Sequence, residues 1–276
     1  MEPPGIAPCL PSPDAVPCPR MSTLENTPII LVAFGTSTRA RDTYRHFEEY
    51  TRKAFPDRDI RWAYTSHHIR RKLKTEEGVA QQGLADVLDD LLAEGYKKAV
   101  AQSLHIVPGI AYDRLLADVA GHGLKVGVGR PLLSDANDVE KALDAIIPLL
   151  PNPDETVTIL AGHGTDHPAA SFYLKLAEAI RRRGLQNLFM GNVSGPLAEE
   201  EALEAARCSD LKHVHFIPFM FVAGDHIEND IMGDEEDSWK SRLPGKTCTI
   251  EQRGLGYCDK VADIFLQHLR DAMETL

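Results

Sequence analysis

The 276-residue chain has no long hydrophobic run, no paired cysteines and no surplus of basic charge. No stretch approaches the ~18 uninterrupted apolar residues of a bilayer-spanning helix, so no membrane partner is expected. The five cysteines (Cys9, Cys18, Cys208, Cys248 and Cys258) are odd in number and include no Cys-x-x-Cys spacing. That argues against a disulfide framework and a zinc ribbon, and fits a reducing cytoplasm. The net charge of −11 disfavours a general nucleic-acid binder. A P-loop and a Gly-x-Ser-x-Gly elbow are both missing. Gly121, Gly123, Gly127 and Gly129 crowd together, but their spacing is wrong for a dinucleotide fingerprint and they run into a strand. No nucleotide cofactor is therefore expected.

What is present is an ordinary globular balance, with 43% hydrophobic and 26% charged residues. Seven prolines fall within residues 1–20, without the basic and apolar regions of a signal peptide. Residues 1–27 are expected to be a disordered leader, with Met21 a candidate true start. The charge is unevenly spread. Residues 28–150 carry 17 bases and 17 acids, and residues 151–276 carry 12 bases and 21 acids. A basic strip, residues 39–74, holds 11 bases against five acids, while residues 225–237 hold seven acids and no Lys or Arg. Such runs are often plain solvated surface. Alternatively, one half handles an anion and the other a cation.

From residue 28, apolar runs alternate with amphipathic stretches, which implies an α/β fold with parallel strands covered on both faces. Strands are expected at 28–34, 59–64, 98–104 and 124–128. Helices are expected at 39–55, 76–94, 109–120 and 135–149. The grammar then restarts, with strands at 156–161, 188–193, 212–219 and 247–252. The second set of helices is expected at 167–183, 197–207, from 225 to 232, and 258–273. IILVAFGTS at 29 resembles VTILAGHGTD at 157, and SLHIVPGIAYDRL resembles FMFVAGDHIENDI. The chain thus reads as two Rossmann-like halves, each a parallel four-stranded βα unit, related by internal duplication. The expected domains are 28–150 and 151–276, the latter carrying the metal site. Ligands of such folds sit at the carboxyl ends of the strands, so the cleft between the halves is the expected site.

His163 follows the TVTILA run between Gly162 and Gly164, and glycines there let backbone approach a ligand. His226 occupies the first turn after the third strand of the second half. Their counterparts in the first half are Phe34 and Ile110, so duplication alone does not require histidines at these positions. Imidazole suits first-row divalent metals. Asp225, Glu228 and Asp230 could serve His226 as ligands or as hydrogen-bond partners. No compact motif such as His-Glu-x-x-His is present, and core or capping histidines remain the plain alternative. His67, His68, Arg70, Arg71, Lys72 and Lys74 end the second strand, and Arg39 and Arg41 follow the first. Guanidinium groups suit carboxylate or phosphate recognition. The alternative is a solvated basic loop. His105 ends the third strand, either as a ligand or as a hydrogen-bonded structural residue.

Together, ILVAFGTSTRARDTY, YTSHHIRRKL, LHIVPGIAYDRL, ILAGHGTDHPA and FMFVAGDHIENDI resemble the sirohydrochlorin cobaltochelatases of anaerobic cobalamin biosynthesis. These are class II chelatases related to protoporphyrin ferrochelatase. The resemblance covers nearly the whole chain from residue 28. It implies two Rossmann-like halves with the site between them, and ATP-independent insertion of Co2+ into a polycarboxylate tetrapyrrole, sirohydrochlorin. It also implies that His163 and His226 bind the metal, with His163 a candidate proton acceptor. A family glutamate is replaced here by Ser194, in Gly191-Asn192-Val193-Ser194-Gly195. A hydroxyl is a weaker ligand than a carboxylate, so either water or Glu228 takes the third place, or the two histidines hold the metal alone. Arg39, Arg41, Arg70 and Arg71 become collective clamps for the substrate carboxylates. Two alternatives to this function are insertion of Fe2+ on the way to sirohaem and a non-catalytic metal or tetrapyrrole carrier. An oligomer is compatible with the sequence, which does not fix the assembly state.

Overall fold

The computed structural model describes residues 27–36, 42–76, 78, 80–224 and 226–276. The expectations for the leader up to residue 26, for Met21, and for Arg39, Arg41 and Asp225 lie outside these residues; Thr27 is buried.

Two four-stranded parallel sheets carry the fold. The first contains β1 (Ile29–Ala33), β2 (Ile60–Tyr64), β3 (Lys98–Ser103) and β4 (Lys125–Gly129) in the order β2-β1-β3-β4. The second contains β5 (Thr156–Gly164), β6 (Leu188–Ser194), β7 (His213–Phe219) and β8 (Thr247–Ile250) in the order β6-β5-β7-β8. The same order in both sheets is the structural form of the duplication. Every residue of β1 is buried, as the central strand of a sheet covered on both faces requires. A left-handed glycine ends β5, Gly164 with φ +77°, and its counterpart Gly35, with φ +105°, stands two residues past β1.

The helices are α1 (Asp42–Ala54), α2 (His67–Glu76), α3 (Leu84–Ala93), α4 (Ile110–Ala120), α5 (Ala136–Ile146), α6 (Ser171–Arg182), α7 (Glu200–Cys208) and α8 (Asp259–Met273). Two of them differ from the sequence expectation. The stretch expected as one helix over 76–94 is broken. Gly78 takes φ +67°, and a new helix opens at Leu84, where the Asp86 carboxylate accepts from the Gly83 N–H at 2.8 Å. The basic segment, for which a solvated loop was the alternative, is helix α2. Its first turn is capped by the Ser66 hydroxyl, which accepts from Ile69 N–H at 3.3 Å, and Leu73 anchors its inner face.

The core does not divide where the sequence repeat does. Alternate residues of β1 point to opposite faces. Ile30 and Val32 pack under α3 and α4, whereas Ile29, Leu31 and Ala33 enter a cluster that also contains Leu160, Ile217 and Phe219 of the second sheet. Helix α8 closes that cluster and packs on β3 and β4 of the first sheet. Gly127 of β4 has no room for a side chain, because a Cβ there would stand 2.4 Å from the Ala272 carbonyl of α8. His268 of α8 and Asp138 of α5 form a buried pair at 3.1 Å. Phe47, Phe221 and Phe265 meet edge to face at 5.2 to 5.9 Å, contributing about 0.5–1.5 kcal/mol per contact beyond their burial. The last helix of the second repeat thus covers the sheet of the first and holds the two halves as one packed body.

Candidate metal site at the strand ends

His163 is the penultimate residue of β5 and is exposed at its carboxyl end. His226 stands just before a single π turn, Ile227–Ile231. The sequence predicts an ordinary helix over 225–232 here. The turn instead closes with Met232 N–H on the Ile227 carbonyl, and Gly233 is tucked under the Asn229 carbonyl, where a Cβ would stand 2.1 Å away. Single π turns of this kind are frequent at functional sites.

The turn brings the two imidazoles together, with ring centroids 4.7 Å apart and planes at 85°. Their tautomers follow from their partners. The Gly164 carbonyl can only accept, so His163 Nδ1 carries the proton of that 2.9 Å bond. The Asp230 carboxylate accepts from His226 Nδ1 at 2.6 Å in the same way. In the neutral form of each ring, Nε2 then keeps its lone pair. Locking the far nitrogen on a carbonyl or carboxylate is how proteins orient imidazoles that bind metals. Asp230, considered above as either ligand or partner, lies on the partner side.

The glycines around His163 have a role that the sequence does not reveal. A Cβ on Gly162 would stand 2.2 Å from the Asn192 side-chain oxygen, and one on Gly164 would stand 1.8 Å from the Ser194 carbonyl. They make room for β6 of the same sheet. Asn192 is fully buried behind this strand, and neither of its amide atoms has a protein partner. The exposed Ser194 donates its hydroxyl proton to the His163 carbonyl at 3.1 Å. Glu228 is also exposed. Among the described residues, no three His, Cys, Asp or Glu side chains stand close enough together to hold a metal. The histidine pair is thus not completed to a carboxylate-bearing triad by Glu228 in this arrangement.

The first half supplies the opposite wall. Asp113 of α4 pairs with His167 at 3.2 Å across the two halves. His105, at the end of β3, spends both ring nitrogens within the protein. Nδ1 meets Ser103 Oγ at 2.8 Å, and Nε2 meets Thr65 Oγ1 at 3.2 Å. Burial pushes its pKa down to about 4, so it is a neutral structural residue.

The expected clamps separate. Arg70 lies against Gly83, bonds Asp86 at 3.3 Å and donates to His67 Nδ1 at 2.8 Å. Its guanidinium braces the start of α3. Arg71 is exposed and, among the described residues, pairs with no carboxylate. A cavity of about 290 Å3 lined by Leu150, Pro151, Thr158, Leu185 and Leu188 lies toward the amino ends of β5 and β6, away from the histidines. It carries none of the chemistry assembled at the carboxyl ends.

The scaffold is thus a duplicated parallel α/β fold with two oriented imidazoles at one set of strand ends. Residues 27–274 match the cobalt chelatase (CbiK) family model, and the chain belongs to that family. It is 36% identical over 259 residues to the sirohydrochlorin cobaltochelatase CbiKC of Nitratidesulfovibrio vulgaris, covering 90% of this chain and 91% of that one. It is 31% identical over 255 residues to the sirohydrochlorin cobaltochelatase of Salmonella typhimurium, covering 89% and 96%. Among solved structures, SirB from Bacillus subtilis with Fe3+ shares the fold with a TM-score of 0.62 at 12% identity, over 90% of this chain and 95% of that one. No described helix is long and apolar enough to cross a membrane.

Proposed function

We propose that this protein inserts Co2+ into sirohydrochlorin without ATP, and that His163 and His226 present the cation to the ring. The observation that carries the site assignment is the pair of imidazoles, 4.7 Å apart between ring centroids, whose Nδ1 atoms are both bonded within the protein. Family membership supports the reaction.

The chemistry is an exchange. The free ring carries two pyrrole N–H groups, and the metallated ring carries Co2+ in their place, with two protons released. A metal-bound Nε2 cannot accept a proton. Once the cation passes to the ring, each freed Nε2 can take one, so two imidazoles match two protons. Asp230 would stabilise the imidazolium of His226 through the existing short bond, and the Gly164 carbonyl would do the same for His163. Two neutral ligands hold a divalent ion less firmly than a site with a carboxylate would, which suits a cation that must leave. Exposed Arg71 and the basic surface of α2 offer charge to the substrate carboxylates, with Arg39 and Arg41 belonging to the same basic strip. Arg70 acts by bracing α2 against α3.

The test is spectroscopic. Sirohydrochlorin and Co2+ in excess over protein should convert to the metal complex over many turnovers. Conversion limited to one ring per protein would identify a carrier.

A further inference from the structure

Each repeat carries a buried tyrosine nine residues after its left-handed glycine. Tyr44 of α1 follows Gly35, and Tyr173 of α6 follows Gly164. Their relative exposures are 6% and 2%. Each hydroxyl takes a hydrogen bond from the backbone N–H of its own glycine. Burial pushes both phenols well above their ordinary pKa, so each hydroxyl keeps its proton. The rings pack on apolar neighbours, Tyr173 edge to face on Phe219 and Tyr44 on Trp62 and Phe221. Packing alone asks only for phenylalanine at either position, whereas a buried hydroxyl needs a polar partner. Both tyrosines use the same one. The carbonyl of that same peptide unit is also held in each half. The His163 carbonyl accepts from the Ser194 hydroxyl at 3.1 Å, and the Phe34 carbonyl accepts from the Ser66 N–H at 3.1 Å. Each repeat thus clamps the peptide entering its glycine, between a tyrosine and a serine near the end of the neighbouring strand.

We propose that Tyr173 is a positioning residue for His163, acting through the backbone of Gly164. The chain of contacts is short. Tyr173 lies under the end of β5, where its ring edge stands 3.2 Å from the place of a Cβ on Gly162. Its hydroxyl and that of Ser194 fix the plane of the His163–Gly164 peptide from opposite ends. From that plane, the φ of +77° at Gly164 sets the direction of the Gly164 carbonyl, which accepts the His163 Nδ1 proton at 2.9 Å. That bond holds the imidazole in the tautomer that leaves Nε2 bare for a metal. Without the tyrosine hydroxyl the peptide is free to tilt, and a glycine resists such tilting less than any other residue. The first half keeps the clamp but has Phe34, with no ring nitrogen, at the position of His163. Tyr44 therefore has no imidazole to steer, and it is an internal control with matched burial and bonding. This inference rests on the reading of His163 as a metal-presenting group, and the test keeps the two apart.

Tyr173→Phe and Tyr44→Phe are to be compared with wild type. Each removes one oxygen and keeps the ring, so urea unfolding should show similar losses of stability in both. The readout that separates them is the 15N spectrum of metal-free protein labelled at histidine, with the His163 signals assigned by their loss in His163→Ala. Wild type and Tyr44→Phe should show neutral His163 protonated at Nδ1 and bare at Nε2. Tyr173→Phe should show the two tautomers mixed. In calorimetric titration with Co2+, Tyr173→Phe should bind about tenfold more weakly than wild type, and Tyr44→Phe should bind as wild type does. A folded Tyr173→Phe with the wild-type tautomer and Co2+ affinity would overturn the proposal, as would equal changes in the two variants. Should Tyr173→Phe not fold, hydrogen exchange in wild type decides. The Gly164 N–H is expected to be protected, and rapid exchange there would overturn the proposal. If the tautomers change as expected but wild type binds no Co2+, the positioning role stands and it is the proposed function that fails.

Discussion

Replacing Gly164 with alanine tests whether the register between β5 and β6 holds His163 in place. Two costs add. Gly164 has φ +77°, a conformation that costs an L-residue about 1–2 kcal/mol. The new Cβ would also stand 1.8 Å from the Ser194 carbonyl and 2.8 Å from Asn192 Cβ. Both neighbours belong to a paired strand that cannot move alone, so relief of more than 1 Å would distort the sheet at a further cost of about 1–3 kcal/mol. The expected total is roughly 2–5 kcal/mol, or a fall in Tm of about 5–15 °C for a chain of this size. Gly184→Ala is the matched control. Its φ is +62°, but no atom lies within 4 Å of the added Cβ, so only the backbone cost of about 1 kcal/mol should appear. Both are read by urea unfolding at constant m. Gly164→Ala no more destabilising than Gly184→Ala would refute the claim that close strand packing demands this glycine.

Further expectations concern the histidines and their neighbours. Asp230→Asn should weaken Co2+ binding about 10- to 100-fold without unfolding the protein, because a carboxylate that orients His226 is lost; calorimetry reads this. Ser194→Glu adds a carboxylate at the end of β6 beside β5 and should tighten Co2+ binding, whereas unchanged affinity would show that this position does not face the cation. His105 has a folded pKa depressed to about 4 from 6.5 by burial. Below pH 6.5 the unfolded chain takes up a proton that the folded one refuses. Stability present above that pH is therefore lost as the pH falls toward 4. His105→Gln should flatten that part of the stability-pH profile.

The sheet order and the duplication were legible because central parallel strands are continuous apolar runs, and because the two copies keep their strand-end motifs. The meeting of His163 with His226 was legible for the same reason, since both follow strands that converge on one edge of the fold. Other features depend on contacts distant in sequence. Asn192 packs behind His163 from the neighbouring strand, 29 residues on, and Arg70 reaches Asp86 of α3. Helix α2 was hidden by its charge, although Ser66 three residues before Ile69 was a cap in plain view. Gly162 and Gly164 have Asn192 and Ser194 of the adjacent strand as close neighbours. The docking of α8 on the first sheet is invisible to periodicity, which reports an amphipathic face without naming what covers it.

The most direct test of the account is the rate of Co2+ insertion into sirohydrochlorin by His163→Ala and His226→Ala. Circular dichroism and urea unfolding would confirm that each variant is folded. Each substitution removes one of two neighbouring Nε2 donors, so each alone is expected to abolish turnover while the protein still binds the ring. Wild-type rates in either folded variant would contradict the assignment of the paired imidazoles as the metal-presenting site.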